Sequence, residues 1–385
     1  MIAHGTQTPP SRGLVLGCGG TLGTAWTVAA LHSLRQAAAW DPRDADVLVG
    51  TSAGAELAAL LGAGVGVDEL LAAQLVPRQA TFAPSRRPAR PLAAPAESPR
   101  AASTRTSGRR AGSTHRSDTA APRRVLLHGQ TSPAATLATA SARPELVRHF
   151  AHPPRRTPPR PALMLGAPRL AARALTGAVP ALTGLSGLLP RGRGDAAWLA
   201  ALADRLAPDG AWVSHPATWL AATDLDTGRR ILFGHPDAPK AALRDALRAS
   251  WAIPGWFPPV RVDGRLYADG GISSPTSADL LADRGLDEVY IVAPMSSAAP
   301  GRRTGLGRAE AVLRRVMTGV LNAECAALRA AGTRVIRVEP TAADLDTMGG
   351  NFMDPRRRPA VLETALRTTR ATVRDALTAT PAPRT

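Results

Sequence analysis

Residues 45–54 read ADVLVGTSAG, from Ala45 to Gly54: an apolar stretch that runs straight into Gly50-Thr51-Ser52-Ala53-Gly54. The helix formers Ala55-Glu56-Leu57-Ala58-Ala59-Leu60-Leu61 follow at once. Strand, tight turn and helix in that order, with a serine at the turn, make a G-x-S-x-G elbow. Its flanking glycines allow close backbone approach, and the strained turn lifts the serine Oγ to a helix N-terminus. There the unpaired N–H groups and the positive end of the helix dipole favour the negative charge that develops around an attacking serine. Taken alone, the pentapeptide also fits a small-residue connection without chemistry.

Toward the N-terminus, Leu14-Val15-Leu16 is a short apolar strand, followed by Gly17-Cys18-Gly19-Gly20-Thr21-Leu22-Gly23. A helical pattern then runs from about Thr24 to Gln36, with Trp26, Ala30, Leu31 and Leu34 on one face. A glycine loop between strand and helix can cradle a phosphate or serve as an oxyanion hole, because both tasks need converging N–H groups with no side chains in the way. A dinucleotide site wants an acid about 20 residues on. Asp41, Asp44 and Asp46 fall in that region, but the serine elbow after Asp46 is nothing such a site requires.

A nucleophilic serine needs a base. The histidines stand at 4, 32, 115, 128, 149, 152, 215 and 235. The α/β-hydrolase chain order of serine, acid, histidine would pair Asp224 or Asp226 with His235, which is cramped. A carboxylate is the better candidate: Tyr267-Ala268-Asp269-Gly270-Gly271 places an acid at the end of a strand spanning Arg265 to Ala268, directly before two glycines. The alternative for Asp269 is a turn aspartate that caps its own backbone.

Taken together, Gly17-x-Gly19-Gly20-x-x-Gly23, Gly50-Thr51-Ser52-Ala53-Gly54 and Asp269-Gly270-Gly271 resemble the three signatures of the patatin-like phospholipases, in that family's order. The segments ATDLDTGR (222–229) and SWAIPGWFPPV (250–260) resemble family text upstream of the last turn. The resemblance covers about 11–75 and 195–380. It implies an α/β fold, the patatin-type three-layer α/β/α sandwich with a mostly parallel central sheet. It implies a Ser52–Asp269 dyad, an oxyanion hole from backbone around Cys18, Gly19 and Gly20, and turns shaped by Gly17, Gly23, Gly50, Gly54, Gly270 and Gly271. The expected chemistry is acyl transfer through an acyl-Ser52 ester on a lipid ester substrate, with no metal or organic cofactor. A thioesterase or acyltransferase would use the same dyad. Cys18 stands where relatives usually carry glycine, and Leu22 where they carry arginine or lysine. Without that basic residue the motifs imply ester hydrolysis more directly than phospholipid specificity.

Composition bounds the rest. With 385 residues and 44% hydrophobic content, the chain can bury a sizeable core. Its formal charge of +17 is concentrated: 78–170 holds 17 arginines against Glu97, Asp118 and Glu145. This stretch is dense in Pro, Ala, Ser and Thr and shows no lasting period, so 78–160 is expected to be a disordered insertion. It splits the catalytic domain into 11–77 and 195–380. Because the charge sits there, a nucleic-acid partner is disfavoured, although anion binding by the insertion is the main non-catalytic alternative. Residues 161–194, apolar but cut by Pro and Gly, read as a connector or a lid. Trp251, Trp256 and Phe257 read as core filling or as acyl-pocket walls.

Two cysteines give no disulfide framework, the start MIAHGTQTPPSR lacks an apolar leader, and no apolar run reaches 18 residues. These features point to a cytoplasmic protein, peripheral to the membrane where its substrate lies. Further elements are expected as strands at Trp219–Thr223, Arg230–Phe233, Glu288–Val292 and Arg334–Val338. Helices are expected at Ala241–Ala249, Ser277–Asp283, Arg308–Ala331 and Pro359–Leu377.

Overall fold

Alternate residues of the central strands belong to two different cores. The structure, a computed structural model, describes residues 9–76, 143–151, 158–160, 162, 164–298 and 307–379. Its strands are β1 (Arg12–Leu16), β2 (Val47–Thr51), β3 (Thr218–Asp224), β4 (Arg230–Phe233), β5 (Val260–Val262), β6 (Arg265–Asp269), β7 (Glu288–Val292) and β8 (Arg334–Val338). Leu14, Leu16, Leu48, Leu220, Tyr290 and Ile336 pack on one face, with the helices Gly20–Ala38, Ala53–Gly62, Leu243–Ser250 and Arg358–Ala379. Val15, Val49, Trp219, Val289, Ile291 and Val335 pack on the other, against the 3-10 turn Ala278–Arg284 and the helix Gly307–Ala330. Because both faces are covered, the strands read as continuous apolar runs rather than alternating ones. Each fully buried aliphatic side chain stabilises the layers by roughly 2 kcal/mol.

The sheet order is β5-β6-β3-β2-β1-β7-β8, with β4 also on β3. Pairing is parallel from β3 through β2, β1 and β7 to β8. It is antiparallel for β3–β4, β3–β6 and β5–β6. This is the expected three-layer α/β/α arrangement; the strands that were expected match to within a residue or two, and β5 is an addition the sequence reading did not make. The expected helix at Ser277–Asp283 is a 3-10 turn instead, entered through Ser277 at φ 58°.

One detail of register builds the site. Leu220 and Ala221 pair with β2 and β4 at once, while Ala222 and Thr223 pair with β4 and β6. Strands β2 and β6 therefore share the same edge of β3 and meet end to end. Thr51 lies opposite Ala221 and Asp269 opposite Ala222. Adjacent residues of β3 thus bring together chain ends more than 200 positions apart.

Most of the expected insertion, 78–142, lies outside the described residues. Its distal end does not follow the expectation of disorder, because Pro144–Ala151 is a helix with Leu146, His149 and Phe150 buried. These three recur at i, i+3 and i+4, one face of a helix, and they dock beside the helix Val67–Leu75. The connector carries two further helices, Pro168–Leu175 and Ala181–Ser186.

Candidate active site

Ser52 adopts φ 55° and ψ −117°, a conformation that costs an L-residue energy and that the packing around it enforces. A Cβ on Gly54 would stand 1.9 Å from the Leu16 carbonyl oxygen, and one on Gly50 2.5 Å from Ala55 Cα. Both glycines are thus required by contact. Since Leu16 pairs with Gly50 across β1 and β2, the glycine loop after β1 and the elbow after β2 emerge side by side at the carboxyl ends of parallel strands.

Asp269 is 4% exposed, and the Ser52 side chain lies near enough to its carboxyl to favour the ionised form. The Gly271 N–H donates to Oδ1 at 2.7 Å. Burial pushes the Asp269 carboxyl up to about 7, against the opposing pull of Ser52 and the Gly271 N–H. A carboxylate that loses its proton near neutrality has the basicity to assist a serine.

The segment after the helix Leu243–Ser250 clamps both partners. The Ser52 N–H donates to Ser250 Oγ at 2.9 Å, and that hydroxyl donates to the Ala221 carbonyl at 2.7 Å. Two residues on, the Ala252 carbonyl accepts the Asp269 N–H at 3.1 Å. Ser250 was not singled out by the sequence reading. Its motif is visible in SWAIPG, but the bond reaches 198 residues back along the chain.

The glycine loop needs a correction. The Cys18 N–H, expected to join the oxyanion donors, donates to the Pro275 carbonyl at 2.8 Å, and the Gly17 N–H to Val292 at 2.9 Å. Pairing of β1 with β7 takes up the Gly17 N–H, and the loop after Asp269, which carries Pro275, takes up the Cys18 N–H. Gly19, Gly20 and Ala53 head the two helices and keep N–H groups without a protein partner among the described residues. Ala53 is a further omission of the sequence reading, although it follows directly from its place after the elbow serine. The Cys18 thiol lines the site as a neutral group, because burial first and the nearby Asp269 second push it far above the ordinary thiol range.

These groups form the floor of a cavity of about 300 Å³. Its walls include Leu182, Leu185, Ile253, Ile272, Met317 and Phe352, and no Lys, Arg or His lines it. Leu22 does not reach it: the side chain is fully buried in the core and its N–H holds the Phe352 carbonyl at 3.0 Å. The connector contributes to the wall, as do two segments the sequence reading left out, around Met317 and Phe352. Of the aromatics considered for the wall, Trp251 is buried edge-on to Trp198 at 5.2 Å, and Ile253 and Pro254 face the cavity instead.

The histidine alternative finds no support. His235 packs edge-on against Trp219 at 4.7 Å, while Asp224 caps the amides of Asp226 and Thr227 and takes Arg265 at 2.6 Å. Among the described residues no group of three metal-ligating side chains occurs, and no helix is long and apolar enough to cross a membrane.

Comparison with known proteins agrees with this geometry. A 54-residue stretch is 50% identical to an uncharacterized NTE family protein of Mycobacterium bovis and to a protein of the same description in Mycobacterium tuberculosis. The aligned stretch is 14% of this chain and 14% of each relative's length. The family described as Patatin-like phospholipase matches residues 14–282, from β1 to beyond β6. Since that match takes in the glycine loop, the elbow and the Asp269 turn in one span, the chain belongs to the patatin-like phospholipase family.

Proposed function

We propose that the chain is a serine acyl hydrolase of lipid carboxylic esters, with Ser52 as nucleophile and Asp269 as its base. Family membership supports lipid acyl hydrolysis in general. The observation that carries the finer reading is that Ser52 and the buried, upshifted carboxyl of Asp269 share the floor of one apolar cavity.

In the forward half-reaction Asp269 takes the hydroxyl proton as Ser52 Oγ bonds to the acyl carbon. The oxyanion so formed is held by the N–H groups of Gly19, Gly20 and Ala53. Collapse breaks the ester C–O bond, and Asp269 returns its proton to the departing alcohol oxygen. Water then enters by the reverse sequence and releases the acid from acyl-Ser52, so one water is consumed per ester. The apolar lining supports recognition of the acyl chain, and it offers a head group no cation.

The test is labelling of the purified protein by a fluorescent fluorophosphonate beside hydrolysis of a soluble acyl ester. Wild type should label, Ser52→Ala should not, and Asp269→Asn should lose on the order of a hundredfold or more in rate. A well-folded wild type that neither labels nor hydrolyses sinks the proposal.

A further inference from the structure

Large apolar side chains are exposed in few places among the described residues, and apart from Leu75 they fall on two segments. One is the connector, with Met164, Leu165, Leu175, Leu185, Leu188 and Leu189. The other is the first half of the helix Gly307–Ala330, with Val312 and Val316. Leu175 is 90% exposed and Leu185 60%, so these are not side chains left partly covered by imperfect packing. The segments face each other across the cavity mouth, with Leu185 and Leu189 lining it on one side and Leu313 and Met317 on the other. The exposed ring is thus continuous with the apolar wall above Ser52. A contiguous patch of this kind is rare on a soluble surface that has no use for it.

Charge identifies the occupant. Residues 158–194 contain Arg160, Arg169, Arg173, Arg191 and Arg193 and no Asp or Glu, and each of these arginines is exposed. Arg169 reaches Asp226 at 3.1 Å across the surface. The bridge between Leu165 and Pro190, with the Arg191 N–H on the Met164 carbonyl at 2.9 Å, interleaves arginine and apolar side chains in one surface. On the facing helix Arg308 and Arg315 are exposed beside Val312 and Val316. Leucines that can enter the acyl boundary, flanked by guanidiniums at the level of the phosphates, match an anionic bilayer in both chemistry and charge.

We infer that this face docks the protein on an anionic lipid bilayer and opens the cavity toward it. That the docked protein draws substrate from the bilayer rests on the hydrolase reading; docking itself does not.

The experiment is co-sedimentation of the full chain with vesicles of phosphatidylcholine, alone or mixed with phosphatidylglycerol. It includes the variants Leu175→Asp/Leu188→Asp/Val312→Asp and Arg173→Glu/Arg191→Glu/Arg193→Glu, none of which lines the cavity. Wild type should favour the mixed vesicles, and each triple variant should bind them about tenfold or more weakly. Both should keep the wild-type melting curve and its rate of fluorophosphonate labelling. A chain lacking 78–141 should still bind. Binding abolished by that deletion and untouched by both triple variants overturns the inference in favour of the arginine-rich stretch. Equal binding to neutral vesicles overturns the charge argument. Self-association that the leucine variants abolish, with no vesicle binding, overturns it in favour of a second copy. Docking without any hydrolysis or labelling supports the inference while striking the hydrolase reading alone.

Discussion

Asp269 makes two opposite demands on the protein as pH changes. Its carboxyl is raised by burial to about 7, so the base form that Ser52 needs grows in as pH rises through neutrality. The expected kcat/KM on a soluble ester climbs through pH 7 and levels above it, in a profile that Asp269→Asn lacks. Stability runs the other way. A carboxyl whose folded value lies above its ordinary value of about 4 binds more protons in the native state between the two. Its favourable contribution is complete below pH 4 and is lost as pH rises to about 7. Asp269→Asn is therefore expected to melt above wild type at pH 8, with the gap closing toward pH 4, as thermal melts across that range would reveal. Ser250→Ala removes the acceptor of the Ser52 N–H without touching the cavity. Its expected signature is a kcat lower by about 10- to 100-fold with KM within about twofold, because the elbow is misplaced rather than the substrate. Unchanged kcat would mean that backbone strain is held by Gly50 and Gly54 alone. That Ser52 and Asp269 meet at one cavity was legible in the chain because turn chemistry is local: a serine between glycines and an aspartate before two. The Ser250 clamp and the occupied Cys18 amide were not, since each is a bond between distant segments that no short window encodes.

Among the elements, the helix Pro144–Ala151 departs most from what composition suggests. Arginine, proline and alanine dominate the sequence before it, yet His149 Nε2 lies 2.7 Å from Glu56 Oε1 with both side chains buried. Arg358 donates to the Phe150 carbonyl at the end of this helix, and to Gln74 at 3.5 Å. The short periodic face was visible, but eight residues beside a long low-complexity run do not raise a window average. What fixes the helix is a partner on the elbow helix, and partners are tertiary facts. His149→Ala leaves Glu56 buried without its partner and is expected to destabilise by about 2–4 kcal/mol, read as a fall in urea midpoint at unchanged m. A shift below about 0.5 kcal/mol would assign the helix a passive role. The central strands, by contrast, were recoverable almost to the residue, because a strand buried on both faces is an apolar run bounded by turns; the short edge strand β5, with Arg261 exposed, was not.

At the scale of the molecule, the sandwich, the elbow and the glycine loop are continuous with one another, while the cavity walls are assembled from six separated stretches. Alternation of strands and helices therefore announces the layers. It cannot announce Phe352 or Met317, which reach the site only through the tertiary packing of segments that follow β7. The described chain reaches the end of the helix Val67–Leu75 and resumes at Arg143, whose guanidinium lies 2.5 Å from Glu69 on that same helix. Excising 78–141 with a short linker is expected to shift stability by only about 1 kcal/mol, since loop entropy varies slowly with length. Cutting through 160 removes His149 as well and should cost the full price of the broken pair. Equal melting temperatures for the two deletions would refute that boundary.

Exit and return at one point also have a mechanical consequence. Glu56 lies one helical turn beyond Ser52, so the helix Pro144–Ala151 is tied through His149 to the helix that Ser52 heads. A pull exerted between residues 76 and 143, by a grafted domain or a bound load, is transmitted as torque on the Ser52 helix. Under the proposed hydrolase function, the stretch between 76 and 143 is a natural place to splice a force or ligand reporter whose output is the rate of ester hydrolysis.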